Sequence, residues 1–564
     1  MFFAARLKQA VTAMVLGAAV AAPMASAGEA AKPDPVAGYD AKCAKVVVPK
    51  KLLTDQVFRA VIVMKNTGQQ SWGPANDRHA YLRSQTPLDN NTWGCNFIIQ
   101  GQGTNVPVGG EFTYASYLKA PPKAGKHVFQ WRLARGTSLE HDKGKMFGAM
   151  TPAVTITVEQ RPAEAAPPPH PKESLGKRLL TYGDFEYIGS FKTPTIKGKG
   201  NSWSGPIWSF AGLALRTLPD GGRRLFVNYD HLAKSLIEVE IPDLVKLTDS
   251  NYAKLKVAKV AKVWGRLGKP WTADKNAGAN GGIWWDQDSR TMYWGTWHGY
   301  WCGPPAHPVL GASKLGDDGK ITELGYWFAP SAYEKAYWGG VTGLPKAFAD
   351  KYTGGRTLAV GFGGGYSGGA NCSRGPALAA IAKPDPAKGK LDMVQLLGYF
   401  KGARAPRDGD YFVAPGPAYG YWGEPPDSPT KGYWSAGDGV CNGIYIDLPD
   451  RHGFIAFAGW TIGRKGYDYA DSVAHVGDRA PVMTQAWYFY DPKDLGAAAG
   501  KPKKINVTPY AMTRVRAPGG KRNGGISGSC FDAEKKLLYL NYRPHLHDRP
   551  AIHVYRVKDK APAK

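Results

Sequence analysis

The chain has 564 residues, 43% of them hydrophobic and 21% charged, with 70 Gly, 43 Pro and a formal charge of +26. It is too long for a single core of ordinary size, too apolar for a disordered protein, and its Gly and Pro lack the triplet period of collagen. Its 18 Trp and 29 Tyr point to a β-rich, turn-rich globular protein, and after residue 27 no apolar run reaches the roughly 20 residues of a membrane span.

Residues 1–27 read as a secretory signal. Arg6 and Lys8 give the positive start, Ala10 to Met24 is apolar and small, and Ala25-Ser26-Ala27 fits the cleavage rule. The expected location is therefore secreted or periplasmic, with no transmembrane anchor after cleavage. Losing Arg6 and Lys8 takes the charge from +26 to +24. Such an excess attracts polyanions, yet the cations are dispersed, as in Lys254, Lys256, Lys259 and Lys262 along one expected strand. No recognition helix, zinc finger or RNA-binding signature accompanies them, so a solvated cationic surface is the reading and specific nucleic-acid binding is not expected.

Residues 161–178 are Pro-, Ala- and charge-rich and read as an extended spacer between a domain of about 44–160 and one of about 180–558. In the first domain, Val57–Met64, Phe112–Leu118, His127–Leu133 and Val154–Val158 alternate apolar and polar residues, which predicts an antiparallel β-sandwich. Met64-Lys65-Asn66-Thr67-Gly68, Trp72, Ala120-Pro121, Gly125, Trp131-Arg132-Leu133 and Phe147-Gly148 resemble the four-tryptophan, immunoglobulin-like module of autophagy receptors and bacterial exported proteins. The resemblance covers about 100 residues. It has counterparts for two of the four tryptophans, Trp72 and Trp131, with Ile62 at the place of the first. It implies a docking or spacer module whose tryptophans are core.

The second domain repeats one element: a small-residue strand, a polar turn and a short apolar strand. The turns and second strands are Asp220-Gly221-Gly222-Arg223-Arg224 with Leu225–Val227, Asp288-Ser289-Arg290 with Met292–Trp294, and Gly354-Gly355-Arg356 with Leu358–Val360. Asp450-Arg451-His452 with Ile455–Phe457 and Asp532–Lys536 with Leu538–Leu540 complete the set. Third strands are expected at Leu236–Ile241, Leu310–Leu315, Ala377–Ala382, Trp487–Tyr490 and Ile552–Val557. Fourth strands are expected at Val257–Trp264, Ile321–Trp327, Met393–Phe400 and Ile505–Tyr510. The fifth copy ends without one, and Phe185–Phe191 can supply it. The expected fold is thus all-β: an immunoglobulin-like β-sandwich, then what looks like a five-bladed β-propeller closed by its N-terminal strand, which leaves no exposed sheet edges at the closure.

In such units the first-to-second and third-to-fourth turns share one face, expected to be tight and polar. The long loops share the other, where function usually resides. That loop face holds His231, Trp297, His298, Tyr300, Trp338, Trp434, Trp460, Arg543 and His545. Aromatic rings beside polar groups suit a sugar, so the expected partner is a polysaccharide or cell-envelope glycan. If the protein is a glycosidase it needs two carboxyls; Asp438, just before an inner strand, and Asp230 are the catalytic candidates, with Glu424 and Asp468 nearby in kind. A lyase acting on an acidic polysaccharide would instead use His231, His298, Tyr300, Arg543 or His545. The rival is a non-catalytic envelope scaffold or adhesion protein using the same face for a protein partner, and a weaker third is a quinone-holding redox propeller. No cofactor and no metal are expected: His545-Leu546-His547 lies in a Pro-bounded loop, Asp286-Gln287-Asp288 reads as a turn, and Gly363–Gly365 lacks the rest of a phosphate loop.

Six cysteines in an exported chain suggest disulfides. Cys43 pairs with Cys95 and Cys302 with Cys372 on this reading. The repeat alignment sets Cys441 and Cys530 about seven residues apart along neighbouring inner strands, roughly 23 Å, and leaves both unpaired.

Overall fold

The structure is a computed structural model. It describes residues 36–54, 56–72, 79–90, 92–99, 105–136, 144–160, 173–194, 212–229, 235–248, 252–268, 281–296, 308–330, 340–361, 377–385, 389–398, 439–462, 482–501, 507, 509–515, 518, 526–542 and 550–559. The protein is all-β, with every long element a strand. Among the described residues no helix is long and apolar enough to cross a membrane.

Residues 41–159 form three sheets around one core. The first orders Ala41–Val47, Val57–Asn66 and Glu111–Lys119; the second Lys51–Leu53, Val154–Glu159 and Gly125–Phe129; the third Phe97–Ile99, His79–Ser84, Trp131–Gly136 and Lys145–Phe147. Alternation along Val57–Asn66 buries Phe58, Ala60, Ile62 and Met64 against Leu82, Tyr114, Leu133 and Ile156. That is the two-residue period of a half-buried strand. Trp72, Trp93 and Trp131 are buried in the same core, as the sequence reading expects of the tryptophans. One expected strand is two. His127–Leu133 breaks at Gln130, and Gly125–Phe129 and Trp131–Gly136 join different sheets.

Five further sheets follow. Sheet I is Leu213–Thr217, Arg223–Tyr229, Ser235–Glu240 and Val260–Gly265; sheet II is Ile283–Asp286, Thr291–Gly295, Leu310–Leu315 and Ile321–Trp327. Sheet III is Gly340–Gly343, Leu358–Gly361, Leu378–Ile381 and Met393–Leu397; sheet IV is Gly439–Asp447, Arg451–Ile462, Val482–Tyr490 and Ala511–Val515. Sheet V takes Ile526–Asp532, Leu537–Tyr542 and Ala551–Val557 from the C-terminus and Phe185–Lys192 from far upstream. The pairing of these last two is antiparallel and runs from Phe185 opposite Val557 to Lys192 opposite Ala551, with an irregularity between Tyr187 and Gly189. Gly189 has a φ of +150°, and a Cβ there would lie 2.7 Å from that of Leu244, so this bend requires glycine.

Within sheets I–IV the named strands pair in chain order from first to fourth, and in V the three C-terminal strands do so and Phe185–Lys192 takes the fourth place. First strands touch in the succession I–II–III–IV–V, and that of V touches that of I. Apolar cores fill the gaps between successive sheets. Leu225, Val227 and Ile237 meet Cys530, Tyr539 and Val554 between V and I, and Phe457, Trp487 and Phe489 meet Leu538, Leu540 and Tyr555 between IV and V.

Three local expectations change. The end of the spacer is ordered: Glu173–Ser174 and Lys177–Leu179 form a hairpin, and Lys177–Leu179 pairs in parallel with Arg451 and His452 of sheet IV. The fourth strand of sheet IV is Ala511–Val515 rather than 505–510. After the third strand, Asp491 accepts a hydrogen bond from Lys493 N (2.8 Å) and Pro492 opens the helix Pro492–Ala497, which delays the next strand. Finally, Tyr252–Lys254 is a 3-10 turn, so the lysine run does not form one strand. Lys256 and Lys259 pair with Asp243 and Glu240 at the surface, where such pairs contribute little to stability.

Candidate functional face

The connections between second and third strands cover 230–234, 296–309, 362–377, 463–481 and 543–550. Those entering a first strand cover 193–212, 266–282, 328–339, 398–438 and 516–525. Antiparallel order puts both kinds at the same end of their own sheet. These connections hold Asp230, His231, Trp297, His298, Tyr300, Trp338, Trp434, Asp438, Arg543 and His545, together with Cys302 and Cys372, and all of these lie outside the described residues. So do Glu424, Asp468, His547, the glycine run at 363–365 and residues 1–27. Trp460 is on the strand Arg451–Ile462, opposite Thr484, with its side chain outside the described set.

The strands leading to those loops are closely packed. A Cβ on Gly212 would sit 2.4 Å from Ile283 N, so the entries to the first strands of I and II are in backbone contact. Asn228 Nδ2 donates to Gly281 O across the same gap (3.2 Å). Between IV and V, Ser529 Oγ donates to Asn442 Oδ1 (3.1 Å), which also accepts from Gly443 N (2.6 Å). Small and short polar residues therefore occupy the inner strands because neighbouring backbones approach there.

The Asn442–Ser529 bond also corrects a sequence inference. Residues 441 and 530 stand at nearly the same level, not about seven residues apart. Cys530 is nevertheless a thiol, because its side chain enters the core between V and I and not the IV–V gap. Burial raises its pKa well above the usual thiol value. The expected Cys43–Cys95 disulfide is not present: both residues are thiols. Cys43 is on a strand of the first sheet, paired with Met64, whereas Cys95 lies off any strand, just before Phe97–Ile99 of the third sheet, where Ser84 N–H bonds Asn96 O.

The opposite end of the sheets explains the repeated turn cation. Arg290 pairs with Asp317, Arg356 with Asp392 (2.6 Å) and Lys536 with Asp559 (2.6 Å), each tying the hairpin of a sheet to the far side of that same sheet. Arg223 instead crosses to the neighbouring sheet, with its Nε donating to Asp532 of V (2.8 Å), and also reaches Glu534. Arg451 of IV crosses to Asp184, just before the closing strand (3.4 Å). Arg451 also donates to Lys558 O (2.8 Å) and Asp559 O (3.0 Å). Sheet V, assembled from both ends of this region, is thus fastened on both sides by buried ion pairs. This end is less tight than the turns suggest. It carries the segment 241–259 and the helices Lys346–Tyr352 and Pro492–Ala497, which pack together. Asp286 at the second hairpin bonds Lys383 (2.6 Å), in keeping with a turn.

A second polar group lies within the closing pair of strands. Ser190 Oγ is 2.6 Å from His553 Nδ1 and 2.6 Å from Tyr187 Oη, which in turn accepts from Leu247 N (3.2 Å). Ser190 and His553 are both buried. Burial alone pushes the imidazole pKa from 6.5 down to about 3, keeping it neutral. Sequence reasoning missed this group, since a Ser and a His 363 residues apart become neighbours only once the two ends are paired.

No protein family profile matches the chain, and no curated protein sequence does. Among solved structures, a luciferin-regenerating enzyme aligns over 62% of this chain and 93% of its own, at 8% identity and a TM-score of 0.29. A PapD-like domain of human CEP192 aligns over 25% of this chain and all of its own, at 12% identity and a TM-score of 0.13. Likenesses this weak carry no argument about fold or function.

Proposed function

We propose that residues 44–160 are an immunoglobulin-like sandwich and that sheets I–V close a five-bladed β-propeller whose loop end binds a polysaccharide or cell-envelope glycan, the protein being exported. The observation that carries this reading is the cyclic contact of the five first strands, with every aromatic-rich loop leaving its sheet at the same end. A rigid ring with loops gathered at one end is a usual home for a ligand site. Trp297, Trp338, Trp434 and Trp460 supply rings for sugar faces, and His231, His298, Tyr300, Arg543 and His545 supply polar and cationic groups. The positive charge favours an acidic glycan. Asp438 and Asp230 are the pair that would cleave one.

A panel of neutral and acidic polysaccharides tests the proposal. Binding to an acidic member is expected, weakened about tenfold or more by Trp434→Ala if one stacking contact is lost. New reducing ends or unsaturated uronates would make the protein an enzyme. No binding to any member, together with capture of an envelope protein without glycan dependence, would replace this reading with the scaffold alternative.

A further inference from the structure

We propose that the seam between Phe185–Lys192 and Ala551–Val557 is an acid-operated latch, with His553 as its sensor and the Ser190 hydroxyl as its partner. The inference rests on the strand pairing and not on any ligand.

The seam joins the third strand of sheet V, Ala551–Val557, to the fourth, Phe185–Lys192, so its hydrogen bonds hold together segments that are remote in the chain. Ser190 and His553 are directly opposed in that pairing, and their side chains bond across it at 2.6 Å. Leu247 N–H donates to Tyr187 Oη. With Tyr187 then donating to Ser190 and Ser190 to His553 Nδ1, every hydroxyl in the row is used and Nδ1 is the acceptor at its end. A proton on Nδ1 turns that acceptor into a donor facing a donor. With Nδ1 accepting, Nε2 already carries the neutral ring's proton, buried with no hydrogen-bond partner among the described residues. An imidazolium would therefore keep that bare N–H, lose the bond at Nδ1 and add a buried charge that no described group pairs.

The described titratable groups around the ring are tyrosines. Tyr187 of the closing strand is 6.0 Å away between ring centroids and Tyr542 of the middle strand 4.9 Å; Tyr555 lies two residues along the same strand and packs on Tyr187. All are neutral in the acid range. Desolvation is the sole cause acting on the imidazole, with no carboxylate among the described groups to offset its charge.

The sign follows from linkage. The folded pKa lies below the unfolded value, so the stabilisation is complete above about pH 6.5 and is lost as pH falls toward 3. Over that interval the opening equilibrium of the seam rises about tenfold per pH unit. Opening extends beyond the two strands. The closing strand is also bonded along its other edge, Ser190 N to Val245 O (2.9 Å) and Lys192 N to Lys256 O (2.8 Å), so its release frees the backbone around Val245 and Lys256 that follows the third strand of sheet I.

Hydrogen exchange with peptide resolution on the full chain, corrected for intrinsic rates, tests this from about pH 7 to about pH 4. In the natural protein, peptides covering 185–192, 245–258 and 551–557 should lose protection at higher pH than those of sheet II. His553→Asn places an amide near the Nδ1 position but cannot titrate, and should keep these peptides protected over the same range. Identical acid profiles for the two proteins would overturn the latch. Should His553→Asn not fold, the natural protein alone decides: loss of sheet II protection before the seam also overturns it.

Discussion

Asp184→Ala should destabilise the five-sheet region by about 3–5 kcal/mol, as breaking a buried ion pair from one side does. The Asp184 carboxylate is buried and accepts from Thr181 N (2.7 Å), Thr181 Oγ1 (3.1 Å), both terminal nitrogens of Arg178, and Arg451. Arg451 is itself buried and keeps two backbone carbonyls, Lys558 O and Asp559 O, after the substitution, but it loses part of its counter-charge. The damage falls where three separate stretches meet: the hairpin after the spacer, the entry to the closing strand and the C-terminal residues. Urea unfolding followed by tryptophan fluorescence measures the loss. A double-mutant cycle with Arg451→Ala should return a coupling of about 1–3 kcal/mol. A loss below about 1 kcal/mol for Asp184→Ala would mean the pair behaves as a surface one and that the junction is not closed as described.

Trp487→Ala should cost about 3–5 kcal/mol by a different route, through the cavity left by a large buried ring. Trp487 is fully buried between sheets IV and V, in edge contact with Tyr182 (5.1 Å), Phe185 (5.2 Å), Phe457 (5.1 Å) and Tyr555 (5.2 Å). Those four rings come from the segment before the closing strand, the closing strand itself, sheet IV and the final strand. One side chain therefore packs against rings from both ends of sheet V's pairing as well as from its own sheet. Trp487→Phe should cost clearly less. It retains most of the apolar contact and removes an indole N–H that is buried with no hydrogen-bond partner among the described residues. Equal losses for Ala and Phe, read from the same urea curves, would contradict this packing.

The contrast between these residues shows what the sequence makes legible. Period-two alternation identifies strands such as Val57–Asn66 because one face is buried and the other is not, and the polar turns identify the hairpins because their backbone conformations favour Gly, Asp and Asn. Even the remote strand Phe185–Lys192 is recoverable, from the absence of a fourth strand in the last repeat. Partnerships across the structure are not recoverable in this way. The repeated turn cation is visible at Arg223, Arg290, Arg356, Arg451 and Lys536, but nothing local tells that Arg290 stays within its sheet while Arg223 and Arg451 cross to sheet V. The register of Asn442 against Ser529 is likewise set by packing between sheets, and an alignment of repeats placed the neighbouring cysteines too far apart. Cys43 and Cys95 illustrate the same limit: sharing a domain and a core does not bring two thiols to bonding geometry. The candidate loop face is legible from the order of turns in a repeated up-and-down sheet and from the aromatic residues in the long connections.

Closure of the ring by the two ends of its chain is the claim on which the latch, the loop face and the junction at Asp184 all depend. Glu186 and Arg556 are exposed and directly opposed in the closing pair, at a separation where cross-strand side chains meet. The double variant Glu186→Cys, Arg556→Cys, oxidised as the full chain and mapped by mass spectrometry, should yield one intramolecular disulfide joining the two peptides, absent from Glu186→Cys alone. Peptides that separate without reductant, in a protein that is otherwise folded, would contradict closure.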